Sequence, residues 1–391
     1  MKFNIWKDCP KVPITELLSF IVDNRGKTVP TADDGWKLIA TNCVTNNTLF
    51  PVYEKVRYLT QETYETWFRA HPMPGDILFV NKGTPGRVCM VPDPVDFCIA
   101  QDMIALRADD KKIYNKYLFA VLRSREIQQQ IYNTNVGDVI PHFKKQFMDQ
   151  LLIPVPDRKI QEKIGNLYYQ LSYKMELNKK INENLEQQAQ AIFKSWFIDL
   201  ESFSNRKPSD WSVSTLGNVS IMGAGGDKPQ NVSPIKTDLY KYPIYSNGLS
   251  NEGLYGFTDK PKISEESVTV SARGTIGFVC LRHIPYVPIV RLVTLTPKTE
   301  IISAKYLYLW LKQLHITGTG TTQQQLTVPD FQKTEILVPS QEIVTLFTAT
   351  VDPIFEKIWA NQNENEKLSS LRDTLLPKLM SGELDVFGID L

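Results

Sequence analysis

Two stretches of the chain carry apolar residues at helical spacing, and the rest alternates in short runs broken by glycine, proline and asparagine. In the first stretch the apolar positions are Ile160, Ile164, Leu167, Leu171, Ile181, Leu185, Ile192 and Trp196. In the second they are Leu346, Val351, Ile354, Ile358, Leu368, Leu371, Leu375 and Leu379. A period near 3.5 residues predicts two helices of about 40 residues, on the order of 60 Å each, able to pair as a coiled coil. The predicted seam is Ile164, Leu171, Asn178, Leu185 and Ile192 on one helix and Ile354, Asn361, Leu368 and Leu375 on the other. Antiparallel pairing would bring Asn178 and Asn361 together at the centre, where a buried amide pair rejects shifted registers. The alternative is that both are exposed polar residues. Pro353 predicts a kink or a fresh start capped by Asp352, and Pro377 with Gly382 predict the end.

The alternating regions are written twice. Lys82-Gly-Thr-Pro-Gly-Arg-Val-Cys89 returns as Arg273-Gly-Thr-Ile-Gly-Phe-Val-Cys280, five of eight positions being identical. Each copy follows a short strand-like run, Asp76 to Val80 and Ser267 to Ser271. Lys116-Tyr-Leu118 recurs as Lys305-Tyr-Leu307, opening helices expected near 112–131 and 303–315. A polar segment follows, then an apolar strand closing at Val155-Pro156 and Val338-Pro339, directly before each long helix. Four features in one order point to a duplicated frame whose loops differ in length. Ser202 to Ser209, polar and marked by Pro208, is the expected linker. The predicted fold class is mixed α+β: two pseudo-repeated α/β units separated by two long helices that form an antiparallel coiled coil.

Composition changes the picture little. With 391 residues, 42% hydrophobic and 22% charged, more than one globular core is expected. Five scattered cysteines without a Cys-x-x-Cys pair, no apolar run of membrane-spanning length and no apolar leader lead to an expected cytoplasmic placement. The net charge of +1 hides an uneven distribution: residues 341–391 carry four basic and nine acidic side chains, leaving the remainder at +6. That is permissive for nucleic acid and no more.

Catalytic motifs are missing. There is no phosphate-binding Gly-x-x-x-x-Gly-Lys-Ser/Thr loop, and Gly223-Ala-Gly-Gly226 runs into Asp-Lys-Pro, which predicts a turn. His71, His142, His283 and His315 stand too far apart for zinc spacing. No Asn/Asp-Pro-Pro-aromatic tetrapeptide of an adenine methyltransferase occurs. Pro92-Asp93 with Asp157-Arg-Lys159 would make a forced nuclease motif, and Asp157 reads better as a helix cap. The expectation is a non-enzyme with no metal and no cofactor of its own.

Loops with a cation beside glycine and hydroxyls recur at matched places, where glycine admits a phosphate closely and the cation neutralises it. The candidate DNA-binding residues of the first unit are Arg25, Lys27, Thr28, Lys82, Thr84, Arg87, His142, Lys144 and Lys145. Those of the second are Lys228, Asn247, Arg273, Thr275, Thr321, Gln323, Gln324 and Gln325. Glutamine amides read adenine and arginine reads guanine through paired hydrogen bonds. Alone, each loop is an ordinary turn. Together they keep one frame and change the chemistry: Arg87 becomes Phe278, and Asp138-Val-Ile-Pro-His is replaced by a Thr/Gln-rich run.

Lys179-Lys-Ile-Asn-Glu-Asn-Leu185, Ala191-Ile-Phe-Lys-Ser-Trp-Phe197, Ser271-Ala-Arg-Gly-Thr-Ile-Gly277 and Leu371-Arg-Asp-Thr-Leu-Leu-Pro-Lys-Leu-Met-Ser-Gly-Glu-Leu384 carry a resemblance over nearly the whole chain. The sequence resembles the specificity (S) subunit of type I restriction–modification enzymes. The resemblance implies target recognition domains at 1–156 and 201–340, long spacer helices at 157–200 and 341–383, and a tail at 384–391. Each recognition domain would read half of an asymmetric, bipartite double-stranded DNA site. The helices would fix the gap and hold two methyltransferase (M) subunits, with restriction (R) subunits joining them. S-adenosylmethionine, ATP and Mg would then sit on those partners. Two other readings stay open: a protein–protein scaffold with duplicated heads, and a stand-alone DNA-modifying enzyme with an unrecognised site.

Overall fold

The computed structural model describes residues 3–24, 28–134, 141–318 and 324–388. The chain folds as two compact units, residues 1–181 with 360–391, and residues 182–359. Each unit thus holds one globular head and half of each long helix.

In unit 1 the strands are β1 (Lys11–Pro13), β2 (Leu18–Val22), β3 (Trp36–Ile39), β4 (Arg57–Leu59), β5 (Ile77–Val80), β6 (Val88–Met90), β7 (Phe97–Ile99), β8 (Met103–Ala108) and β9 (Leu152–Pro154). They make an antiparallel sheet ordered β2-β8-β5-β6, a three-stranded sheet β4-β3-β7 and a pair β1-β9. β5 is buried at every position, which explains its continuous apolar run. The helix expected near 112–131 is two, Asn115–Leu122 and Arg125–Asn133, because Ser124 caps the second through its hydroxyl.

Unit 2 has β10 (Ser212–Thr215), β11 (Ser220–Ala224), β12 (Tyr242–Tyr245), β13 (Leu254–Thr258), β14 (Ser267–Val270), β15 (Val279–Arg282), β16 (Val287–Pro288), β17 (Val293–Pro297) and β18 (Glu335–Val338). Its sheets are β11-β17-β14-β15, β13-β12-β16 and β10-β18. Strand for strand this is the order of unit 1, and in each three-stranded sheet one pair is parallel. The duplication therefore extends from sequence to topology. Gly223 to Gly226, expected as a turn, ends β11, and a Cβ on Gly225 would lie 2.7 Å from the backbone of Ile289.

The long helices are Arg158–Phe197 and Gln341–Met380, 40 residues each. Asp157 stands at the first helix's entrance, its carbonyl accepting from Ile160 and Gln161. Helix 341–380 passes through Pro353 and Pro377 without ending. Gly382, at φ 74°, follows its last turn. The fresh start at Pro353 is not found, since the helix already runs from Gln341, while the end expected at Pro377 with Gly382 falls at Met380.

The helix segments of each unit run antiparallel. In unit 1, Arg372 reaches Ser172 and Asn178 reaches Asn365. In unit 2, Asn182 donates to the Ile358 carbonyl and Phe193 packs on Phe347. Ile164, Leu171, Asn178 and Asn361 are buried as expected, but Leu185, Ile192, Ile354, Leu368 and Leu375 are half-buried. Ala189, Phe193, Val351, Phe355, Leu376 and Leu379 are the buried positions near them. Ile181, Leu346 and Leu371 are exposed. A 3.6-residue helix drifts from a strict heptad, and each segment also packs on its own head, which widens the buried face. Asn178 directs its amide to Glu364 (2.7 Å) and Asn365 (2.9 Å), one turn beyond the expected partner Asn361.

In each head the same bond holds the strand that leads into a long helix. The Tyr117 hydroxyl donates to the Pro154 carbonyl (2.9 Å), and that of Tyr306 to the Leu337 carbonyl (2.7 Å). In unit 1 the first long helix comes so close that a Cβ on Gly165 would lie 2.5 Å from the Tyr117 nitrogen. In unit 2 an aromatic cluster of Phe193, Phe197, Tyr306 and Phe347 fills the joint. There the Glu186 carboxylate accepts from Tyr308 (2.6 Å) and pairs with Lys312 (3.1 Å). Burial raises the Glu186 pKa, yet these two donors hold it below the usual carboxylate value overall.

Candidate nucleic-acid interface

The loops joining β5 to β6 and β14 to β15 have one geometry. In unit 1 the Val80 nitrogen donates to the Arg87 carbonyl (2.9 Å) and Gly86 donates back to Val80 (3.0 Å). In unit 2 Ser271 donates to Phe278 (3.0 Å) and Gly277 to Ser271 (3.0 Å). Gly83 and Gly86 have φ of 84° and 89°, and Gly274 and Gly277 of 70° and 85°. Only glycine enters that region without strain, so both turns need both glycines.

A second segment lies beside each loop. Phe143 donates to the Asn81 carbonyl (2.8 Å), and Lys82 forms an antiparallel bridge with His142. Leu326 donates to the Ala272 carbonyl (3.0 Å), and the Arg273 guanidinium donates to Gln325 Oε1 at 3.2 and 2.9 Å. Lys82 opposite His142 and Arg273 opposite Gln325 are thus equivalent pairs. The sequence had matched the two loops with each other and the His142 stretch with the Gln325 stretch, without setting either stretch beside its loop.

The other candidates divide as follows. Thr84, Arg87, Lys144 and Lys145 are exposed around the Lys82–His142 bridge, and Lys82 lies 3.9 Å from the Asp102 carboxylate. Lys145 pairs with Asp23 (3.3 Å) beyond β2, and Thr28 is exposed. In unit 2, Thr275 and Gln324 are exposed, and Lys228 lies 5.8 Å from the Tyr255 ring. Arg25, Lys27, Thr321 and Gln323 lie outside the described residues.

Asn247, a further candidate of the second unit, bonds within its own head. Its Oδ1 accepts from Ala272 N (2.7 Å) and its Nδ2 donates to the Val290 carbonyl (2.6 Å). This amide ties two loops together and is not free for bidentate base reading. Arg291, which sequence reasoning missed, stands in the loop so tied and is exposed. Val287 to Pro297 reads as one continuous strand, and the turn that interrupts it at Val290 and Arg291 leaves no local signal.

The remaining chemistry is structural. His283 stacks on Trp359 at 4.2 Å; burial, then Lys305 and Arg282, push its pKa down to about 4. Burial pushes the Cys98 and Cys280 thiols up to about 12. Among the described residues no group of three or more His, Cys, Asp or Glu side chains is placed to hold a metal ion, and no helix is long and apolar enough to cross a membrane.

Duplicated heads with divergent loops define a class of two-headed recognition proteins, and comparison with known proteins specifies it. The model of the type I restriction modification DNA specificity domain matches residues 13–187 and 208–370. The chain belongs to this family: it is a DNA-sequence specificity subunit of a type I restriction–modification system, a non-catalytic component. It is similar to the type I restriction enzyme MjaIX specificity subunit of Methanocaldococcus jannaschii, 27% identical over 70% of each chain. The HindI specificity subunit of Haemophilus influenzae is 25% identical, over 79% of this chain and 86% of its own. The crystal structure of the type I restriction-modification system S subunit from M. genitalium shares the fold, with a TM-score of 0.57 and 18% identity over 97% of this chain and 98% of that one.

Proposed function

We propose that the two heads read the two halves of one bipartite double-stranded DNA site, residues 1–156 one half and 201–340 the other. The helices at 157–200 and 341–383 act as the spacer between half-sites and as the seat for two methyltransferase subunits, which restriction subunits join; residues 384–391 are a tail. The complex works in the cytoplasm, with S-adenosylmethionine, ATP and Mg on the partner subunits. One observation carries this reading: the paired loops keep their backbone hydrogen bonds while Lys82, Arg87 and His142 give way to Arg273, Phe278 and Gln325. A common frame with different side chains suits two different base sequences. The test is methylation mapping in cells expressing a cognate methyltransferase subunit with and without this chain. Adenine methylation confined to one split motif and dependent on the chain is expected. Methylation that is unchanged without the chain overturns the reading.

A further inference from the structure

The two heads differ at one point where the frame is otherwise shared. In unit 1, β5 pairs with β8 from Ile77 opposite Leu106 to Val80 opposite Met103, and the next residue, Asn81, donates its backbone N–H to the Asp102 carbonyl (3.1 Å). In unit 2, β14 pairs with β17 with Val270 opposite Val293. Extending that ladder places Arg291 opposite Ala272, as Asp102 stands opposite Asn81. The carbonyl is not used. Val290 and Arg291 are both left-handed, at φ 53° and 60°, a conformation costly for any L-residue and most of all for a β-branched valine. The Asn247 side chain replaces the missing acceptor, taking the Ala272 N–H and holding the Val290 carbonyl. Val290 N and Arg291 N donate to the Gly226 and Gly225 carbonyls at 2.9 and 2.8 Å, which fixes the turn from the other side.

The outcome is electrostatic. Unit 1 has Lys82 beside Asp102, a cation with an anion. Unit 2 has arginines, Arg273 and Arg291, at both equivalent positions. Arg291 is exposed on a turn held by three hydrogen bonds, from Asn247 and to Gly225 and Gly226, and its guanidinium makes no hydrogen bond or ion pair with a described residue. We propose that Arg291 is a specificity-determining DNA contact of unit 2, donating to a guanine edge, with Asn247 as the residue that positions its turn. This rests on the reading of the heads as base readers. A pinned backbone fixes the origin of the arginine fork, which base reading requires and a phosphate contact does not.

The experiment uses the assembled methyltransferase complex and duplexes carrying each single base-pair change in the split motif. Arg291→Ala should lower discrimination by about 10- to 100-fold at one base pair, in the half-site read by unit 2. Asn247→Ala should relax that same base pair, and Arg291→Lys should restore little, because an ammonium lacks the planar fork. Equal weakening on every duplex, with a salt slope reduced by about one, would show a phosphate contact and overturn the proposal. Unchanged discrimination, while the wild-type complex still methylates a split motif, would overturn it and leave the base-reading of the heads standing. A wild-type complex without motif preference would remove both.

Discussion

Arg273 donates two hydrogen bonds to Gln325 Oε1, 3.2 Å from Nε and 2.9 Å from Nη2, at the place where unit 1 sets Lys82 against His142. The amide holds the Nε/Nη2 edge of the guanidinium. Arg273→Ala should weaken DNA binding of the assembled complex by about 1–3 kcal/mol without changing subunit assembly. Gln325→Ala, which frees the guanidinium from its tether, should have a smaller effect. Fluorescence anisotropy on the cognate duplex measures both, and wild-type affinity for Arg273→Ala would count against the loop as a contact.

Asn178 is almost fully buried between the helix segments of unit 1, with its amide on Glu364 and Asn365. Asn178→Ala removes a buried amide that donates to the part-exposed Glu364 and Asn365 side chains, at a cost of about 1 kcal/mol. Denaturant unfolding should show a lower midpoint. A midpoint equal to the wild type's would mean that these hydrogen bonds contribute nothing net.

Gly165 poses two effects against each other. Alanine gains about 1 kcal/mol of helix propensity over glycine. Its Cβ would lie 2.5 Å from the Tyr117 nitrogen, and overpacking of this kind costs about 1–3 kcal/mol. The clash involves backbone and should win, so Gly165→Ala should destabilise the protein. A rise in its unfolding midpoint would show that the helix and head separate easily.

His283 gives a pH dependence. Its folded pKa, about 4, lies below the unperturbed 6.5, so the folded state binds fewer protons than the unfolded one near pH 5. The stability that neutral His283 contributes is complete above pH 6.5 and is lost as pH falls toward 4. His283→Phe keeps a ring against Trp359 and removes the titration. The gap in Tm between wild type and variant should move against the wild type from pH 7.5 to 4.5; a constant gap would place the histidine in contact with solvent.

The repeat, the long helices and the paired loops were legible because each is local: a period, a spacing, or a short motif seen twice. Lys82, His142, Arg273 and Gln325 could be singled out as candidates because duplication marks a position even when its residue changes. The seam was legible at Ile164, Leu171, Asn178 and Asn361, where the helix segments bury those positions in unit 1. At Leu185, Ile192, Ile354, Leu368 and Leu375 the burial is only partial, because packing on the heads widens the buried face to positions such as Phe193 and Leu376. The hydrogen bonds of Asn247 were not legible, since its partners Ala272 and Val290 are 25 and 43 residues away. Arg291 left no trace, because its left-handed turn is imposed by Gly225, Gly226 and Asn247 and not by its own sequence.

The central claim is that each unit reads its own half of the site. Methylation mapping of two variant complexes, Arg87→Ala in unit 1 and Arg273→Ala in unit 2, tests it most directly. The account predicts that each variant relaxes or weakens bases in a different half of the split motif and leaves the other half as in wild type. Relaxation of the same half by both variants would contradict it.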